Sequence, residues 1–103
     1  MTWELALEAV PTPMPGDVAD AADALLAELE HMPHIAGAVT FANLARGTMG
    51  ARFDVAAPAF EEAIRTGVLA FLDATRTIGI TTLAIQRAQA EIVHEDLSTL
   101  IDR

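Results

Sequence analysis

Two of the three histidines stand three residues apart, at His31 and His34 in the stretch HMPHI. Imidazoles are common zinc ligands, so this spacing raises the hypothesis of a metal site that takes its third ligand from His94. A simpler explanation is that Pro33 ends a helix, whose negative end suits a histidine in the last turn. We therefore predict a helix stop here, with no metal site and no cofactor.

Adjacent carboxylates occur at Glu61–Glu62 and again at Glu95–Asp96. A hydrolase would use one carboxyl group as the acid and another as the base. Neighbouring residues on a helix do not face each other, however, and acidic side chains are ordinary in a first turn. The sequence therefore predicts no catalytic residue and favours a protein that is not an enzyme.

Residues 45–52 read ARGTMGAR, and their two glycines and two arginines raise the hypothesis of an anion-binding loop. The stretch lacks the strand–loop–helix context and the Lys-Ser/Thr ending that a phosphate-cradling loop requires. A tight hairpin near Arg46–Gly47 explains it better, because glycine supplies the positive φ that such turns need.

Composition excludes several classes of function. The 103 residues include 15 acidic and 6 basic side chains, for a formal charge of −9, with one Trp, four Phe and no Tyr. This charge would repel a nucleic-acid backbone, and few aromatics are present on which bases could stack. The absence of cysteine excludes disulfides, thiolate nucleophiles and iron–sulfur clusters. No run of apolar residues is long enough for a membrane span and no signal peptide is recognisable, so we expect a cytoplasmic protein.

Hydrophobic periodicity predicts the elements of the first half of the chain. Residues Thr2 to Val10 alternate in polarity, which indicates a half-buried strand, and the three prolines of PTPMPG end it. A helix is predicted from Asp17 to about His31, on an apolar stripe spaced by three and four residues.

The second half continues with two strands, a helix and a last strand. Period-two patterns on either side of the hairpin predict strands within residues 35–57, and a helical stripe follows from Ala59 to about Ile78. The strand that follows changes phase, which a β-bulge near Gln86–Arg87 would reconcile. Alternatively, one half of it packs on the helices and the other on a partner. Residues 96–103, DLSTLIDR, are predicted to form a short helix.

This order, βαββαβ, is that of the ferredoxin-like α+β plait. The prediction is one domain over residues 1–103, with a four-stranded antiparallel sheet in the order 4-1-3-2 and both helices on one face. The alternation assigns residues to that covered face as follows: Trp3, Leu5, Leu7, Val39, Phe41, Phe53 and Val55. The other face is predicted to carry Glu4, Ala6, Glu8, Ala38, Thr40, Ala42, Leu44, Arg52 and Asp54.

The uncovered face is predicted to have a small apolar centre and charged margins, a pattern typical of protein interfaces. The interaction face is predicted to consist of Glu4, Ala6, Ala38, Thr40, Ala42, Leu44 and Arg52. The leading hypothesis is a non-enzymatic interaction or regulatory module that forms a homodimer and whose acidic surface meets a basic protein partner. The alternative is a small-molecule-binding domain or a cofactor-free dimeric α+β-barrel enzyme, which a cavity of several hundred Å³ lined by convergent polar groups would favour.

Overall fold

A computed structural model describes residues 1–93. Its elements are β1 (Thr2–Thr12), α1 (Val18–Glu30), β2 (Ile35–Asn43), β3 (Thr48–Ala56), α2 (Phe60–Thr77) and β4 (Thr82–Ile92). All pairings in the sheet are antiparallel, in the order β2-β3-β1-β4. This is the predicted order counted from the opposite edge, which confirms the ferredoxin-like plait. Three of the predicted features, His94, the Glu95–Asp96 pair and the helix at residues 96–103, lie outside the described residues.

The core lies between the two helices and one face of the sheet. The central strands β1 and β3 supply alternate residues to it, and each helix adds its apolar stripe. The fully buried large side chains include Leu5, Leu7, Leu25, Leu29, Met49, Phe53, Val55 and Phe71.

The helix ends follow the sequence signals closely. Asp17 is the N-cap of α1, and its Oδ1 accepts a hydrogen bond from the backbone N–H of Asp20 at 3.1 Å. α2 begins after Ala59 with Glu61 and Glu62 in its first turn, where carboxylates suit the helix dipole. Gly79 follows α2 with a φ of 93°, the left-handed conformation in which a glycine commonly ends a helix.

β1 runs two residues further than predicted, through Pro11 to Thr12. The pairing with β3 ends at Ala9 and Met49, so beyond that point β1 has a neighbour on one side only, β4. Thr12 points its carbonyl at β4, where it accepts from the N–H of Thr81 at 3.1 Å. Because successive residues alternate in direction, Pro11 faces the side without a strand, where its missing N–H costs no ladder bond.

The predicted bulge in β4 is confirmed at Gln86. The β1 pairing shifts register between Glu8, which is opposite Arg87, and Ala9, which is opposite Ile85. The extra residue allows Ile85 and Ala88 to lie on the same side of the sheet although their numbers differ in parity.

A second bulge, in β2, was not predicted. Ala36 is opposite Asp54 whereas Val39 is opposite Arg52, so one extra residue is inserted between them. Gly37, which has a φ of 62°, lies at this point. The insertion inverts the faces of the rest of β2, which decides the composition of the site described below.

The helices among residues 1–93 do not include one that is both long and apolar enough to cross a membrane.

Candidate functional site

The candidate site is the open face, the side of the sheet that faces away from both helices. Residues that stand opposite one another form three rows across the strands in the order β2, β3, β1, β4. The aromatic row consists of Phe41, Gly50, Glu8 and Arg87. The central row consists of Val39, Arg52, Ala6 and Gln89, and the acidic row consists of Ala36, Asp54, Glu4 and Glu91.

The seven residues of the predicted interaction face do not all lie there. Glu4, Ala6 and Arg52 occupy the open face as predicted, since they belong to β1 and β3, whose alternation is regular. Leu44 follows the end of β2, in the hairpin turn, and is 74% exposed. The other three, Ala38, Thr40 and Ala42, turn towards the helices.

The prediction that Ala38, Thr40 and Ala42 lie on the open face was wrong, because it did not include the bulge in β2. Thr40 Oγ1 donates a hydrogen bond to the carbonyl of Ala22 in α1 at 2.7 Å, which fixes Thr40 on the helix side. Ala42 is opposite the fully buried Met49, and Ala38 packs against the core.

Val39 and Phe41 were predicted beneath the helices and instead lie on the open face. Their exposed fractions are 59% and 39%, so both leave apolar surface in water. Phe41 is opposite Gly50, and a Cβ added at Gly50 would come within 2.8 Å of Cε2 of the Phe41 ring. The ring therefore covers the backbone of β3 at a position that has no side chain.

Glu8 is a buried carboxylate on the open face. It is 8% exposed, and its Oε2 accepts a hydrogen bond from Oγ1 of Thr48, itself 2% exposed, at 2.5 Å. Within residues 1–93 no fully buried side-chain oxygen or nitrogen lacks a partner. Pairing with a hydroxyl explains how the burial of Glu8 is tolerated.

The acidic row places three carboxylates on neighbouring strands, with Glu4 directly opposite both Asp54 and Glu91. Like charges at opposed positions destabilise a sheet. Arg52 is the nearest compensation, with its Nε 3.9 Å from Oε1 of Glu4, but both side chains are at least half exposed. Such an exposed ion pair contributes little to the stability of the fold.

A hollow of about 190 Å³ lies beside these residues on the open face, lined by Glu4, Ala6, Arg52, Gln89 and Glu91.

His31 and His34 lie near the end of α1, and His34 borders the open face, where it lines a hollow together with Ala36 and Asp54. His31 is the C-cap residue, and its Nδ1 lies 2.6 Å from the carbonyl oxygen of Ala27. His34 lines a groove of about 380 Å³ between this end of α1 and α2. Among the described residues no three His, Asp or Glu side chains come close enough together to hold a metal ion.

Two features of the candidate site could not be predicted from the sequence, the exposed Val39–Phe41 pair and the hydrogen bond between Glu8 and Thr48. The only local signal for the first was Gly37, which lies between two alanines. These three small residues show no alternation in polarity, so the sequence does not reveal the bulge there. The second joins residues 40 positions apart and has no local signal.

No protein-family profile matches the chain, and a comparison with curated proteins finds no match.

Proposed function

We propose that this protein is a non-enzymatic interaction module that works as a homodimer, with the open faces of two copies packed against each other. The observation that carries the proposal is the exposure of Val39 and Phe41, next to each other on a sheet face whose middle is formed by Ala6 and Gly50. Two large apolar side chains beside small residues gain most from being covered by another surface.

The charges of the open face favour a second copy as the occupant. A two-fold interface contacts itself, so its charged residues are compensated only if it carries both signs of charge. The open face does so, since Arg52 lies in the row next to the acidic row and Arg87 stands opposite Glu8. A basic protein partner would be drawn by the net charge of −9, yet it would meet these two arginines at the contact.

The test is the mass in solution by light scattering at micromolar concentration. We expect at least twice the chain mass of 10.9 kDa, and a lower mass for Val39→Glu and Phe41→Glu. Leu69→Glu is the matched control, because Leu69 is 53% exposed in α2, on the opposite side of the sheet. A monomeric wild type, or equal dissociation by the control, would overturn the proposal.

The alternative, a small-molecule-binding domain or cofactor-free dimeric α+β-barrel enzyme, is supported by the polar hollow in the acidic row. Its volume of about 190 Å³ is below the roughly 300–1,000 Å³ of sites that enclose a drug-sized ligand. A melting temperature that rises with small polar ligands in the wild type, and no longer rises after Gln89→Ala, would favour this alternative.

A further inference from the structure

The outer edge of β4 is a second surface, which shares the side chains of Arg87, Gln89 and Glu91 with the open face and adds the unpaired backbone groups of the strand. β4 lies at the edge of the sheet and pairs with β1. Beyond the bulge at Gln86, residues 87–92 pair in unbroken register, so the last half of the strand is regular. A long regular edge leaves a row of backbone donors and acceptors for another strand.

The backbone groups that face outwards can be assigned from one hydrogen bond. The N–H of Val93 donates to the carbonyl of Thr2 at 2.9 Å, so Val93 points towards β1. Directions alternate along a strand, and the odd-numbered residues from 87 to 91 therefore bond to β1. The N–H and C=O groups of Ala88, Ala90 and Ile92 point away from β1, towards the free edge.

The edge is accessible from the helix side. Ala88 is exposed, and Ile85 and Ile92 are each 38% exposed, although all three stand opposite buried residues of β1. α2 therefore stops short of the edge, and a further strand would not collide with it. Residues 1–93 leave apolar surface on this side of β4 exposed.

We propose that the β4 strands of two copies pair antiparallel about a two-fold axis at Gln89, which joins two four-stranded sheets into one of eight strands. In this register Ala88 stands opposite Ala90 of the second copy, and these outward-facing residues exchange backbone hydrogen bonds. Arg87 stands opposite Glu91 of the second copy, and the symmetry creates this ion pair twice.

Charge complementarity selects this register. Arg87 and Glu91 occupy non-hydrogen-bonded positions, where opposed Cα atoms are about 4.5 Å apart and side chains are closest. An axis at Ala88 would set Ile85 against Glu91, and an axis at Ala90 would set Arg87 against Val93. Both neighbouring registers lose the two ion pairs, whereas the axis at Gln89 also brings two glutamine amides together.

This contact does not depend on the open face being covered. If both contacts form, the protein is a dimer of dimers, a common symmetric assembly. If only the edge contact forms, Glu91 variants dissociate the protein and Phe41→Glu leaves its mass unchanged. The two proposals can therefore fail separately.

The experiment uses complementary charge reversals in the full chain, followed by analytical ultracentrifugation. Glu91→Arg places arginine against arginine at the edge, and Arg87→Glu places carboxylate against carboxylate. We expect each variant alone to weaken edge association by about tenfold or more. An equimolar mixture should recover it, because the mixed pair sets two arginines against two carboxylates.

A third variant removes a backbone donor without changing the charge. Ala90→Pro deletes an N–H that faces the free edge and keeps the bonds to β1, so we expect the loss of association with a folded circular dichroism spectrum. Association of Glu91→Arg equal to wild type, no recovery in the mixture, or a wild type without this association would overturn the proposal.

Discussion

The ring of Phe41 lies across the backbone of β3 at Gly50, on the side of the sheet that the helices leave open. Gly50 is needed for two reasons, because an added Cβ would collide with the carbonyl oxygen of Leu7 as well as with the ring. The first obstacle is backbone of the neighbouring strand and does not move easily. The close approach of β1 and β3 thus requires glycine.

Gly50→Ala should lower the free energy of unfolding by about 3 kcal/mol, the upper part of the range for overpacking. Urea denaturation measures this, with Gly16→Ala as the control, since nothing lies within 4 Å of a Cβ at Gly16. Adding Phe41→Ala should not restore stability, because the contact with Leu7 remains. Full restoration would show that the ring alone demands glycine.

The fold was predictable to the level of strand order because its main signals are local. The alternation in β1 and β3, the N-cap at Asp17 and the phase change that marks the bulge at Gln86 can each be seen within a few residues. The bulge in β2 could not be found in this way. It falls among Ala36, Gly37 and Ala38, which are small enough for either face.

The error in β2 shows why the candidate site was harder to predict than the fold. With the bulge unseen, the larger residues Val39 and Phe41 were assigned to the core by their hydrophobicity. The register places them in water and turns the polar Thr40 towards α1. A one-residue shift in register moves each side chain of a strand to the opposite face of the sheet. A single bulge can therefore change which residues a sheet exposes without changing the strand order.

Thr40→Val tests the inverted face of β2. The hydroxyl of Thr40 donates to the carbonyl of Ala22, and its loss should cost about 1 kcal/mol of unfolding free energy. Were Thr40 on the open face, valine would be neutral or slightly stabilising, since β-branched apolar residues suit strands. Thr82→Val, at an exposed position of β4, provides the matched control in thermal denaturation.

Asp17→Ala should destabilise the protein by about 1 kcal/mol through the loss of the N-cap of α1. Asp17→Ser keeps a capping oxygen and should retain most of the stability. Asp23→Ala removes the same charge from α1 without removing the cap, so it separates capping from the effect of net charge. Equal losses for Asp17→Ala and Asp23→Ala in chemical denaturation would argue against the cap.

Gly67→Ala probes the contact between α2 and β1. A Cβ at Gly67 would overlap Cδ2 of Leu5, a side chain that is completely buried and has little room to move. We expect a loss of about 1–3 kcal/mol from overpacking, reduced by about 1 kcal/mol because alanine favours helix. In a Leu5→Ala background the same substitution should become stabilising, because the added methyl group then fills space. A double-mutant cycle by urea denaturation measures the coupling, and an effect independent of residue 5 would contradict this account.

Thr48→Val should cost about 2 kcal/mol, because it removes the hydrogen bond to the buried carboxylate of Glu8 and leaves that charge with less compensation. Thr48→Ser keeps the hydroxyl and should lose much less. If the open face is covered by a second copy, Glu8 becomes still less hydrated in the dimer. Thr48→Val should then raise the dissociation constant of the dimer more than Thr2→Val does. Thr2 is the control, because it is an exposed residue at the start of β1 in the same sheet. Sedimentation measurements on the three variants would decide this, and an unchanged dissociation constant for Thr48→Val would place the contact elsewhere on the protein.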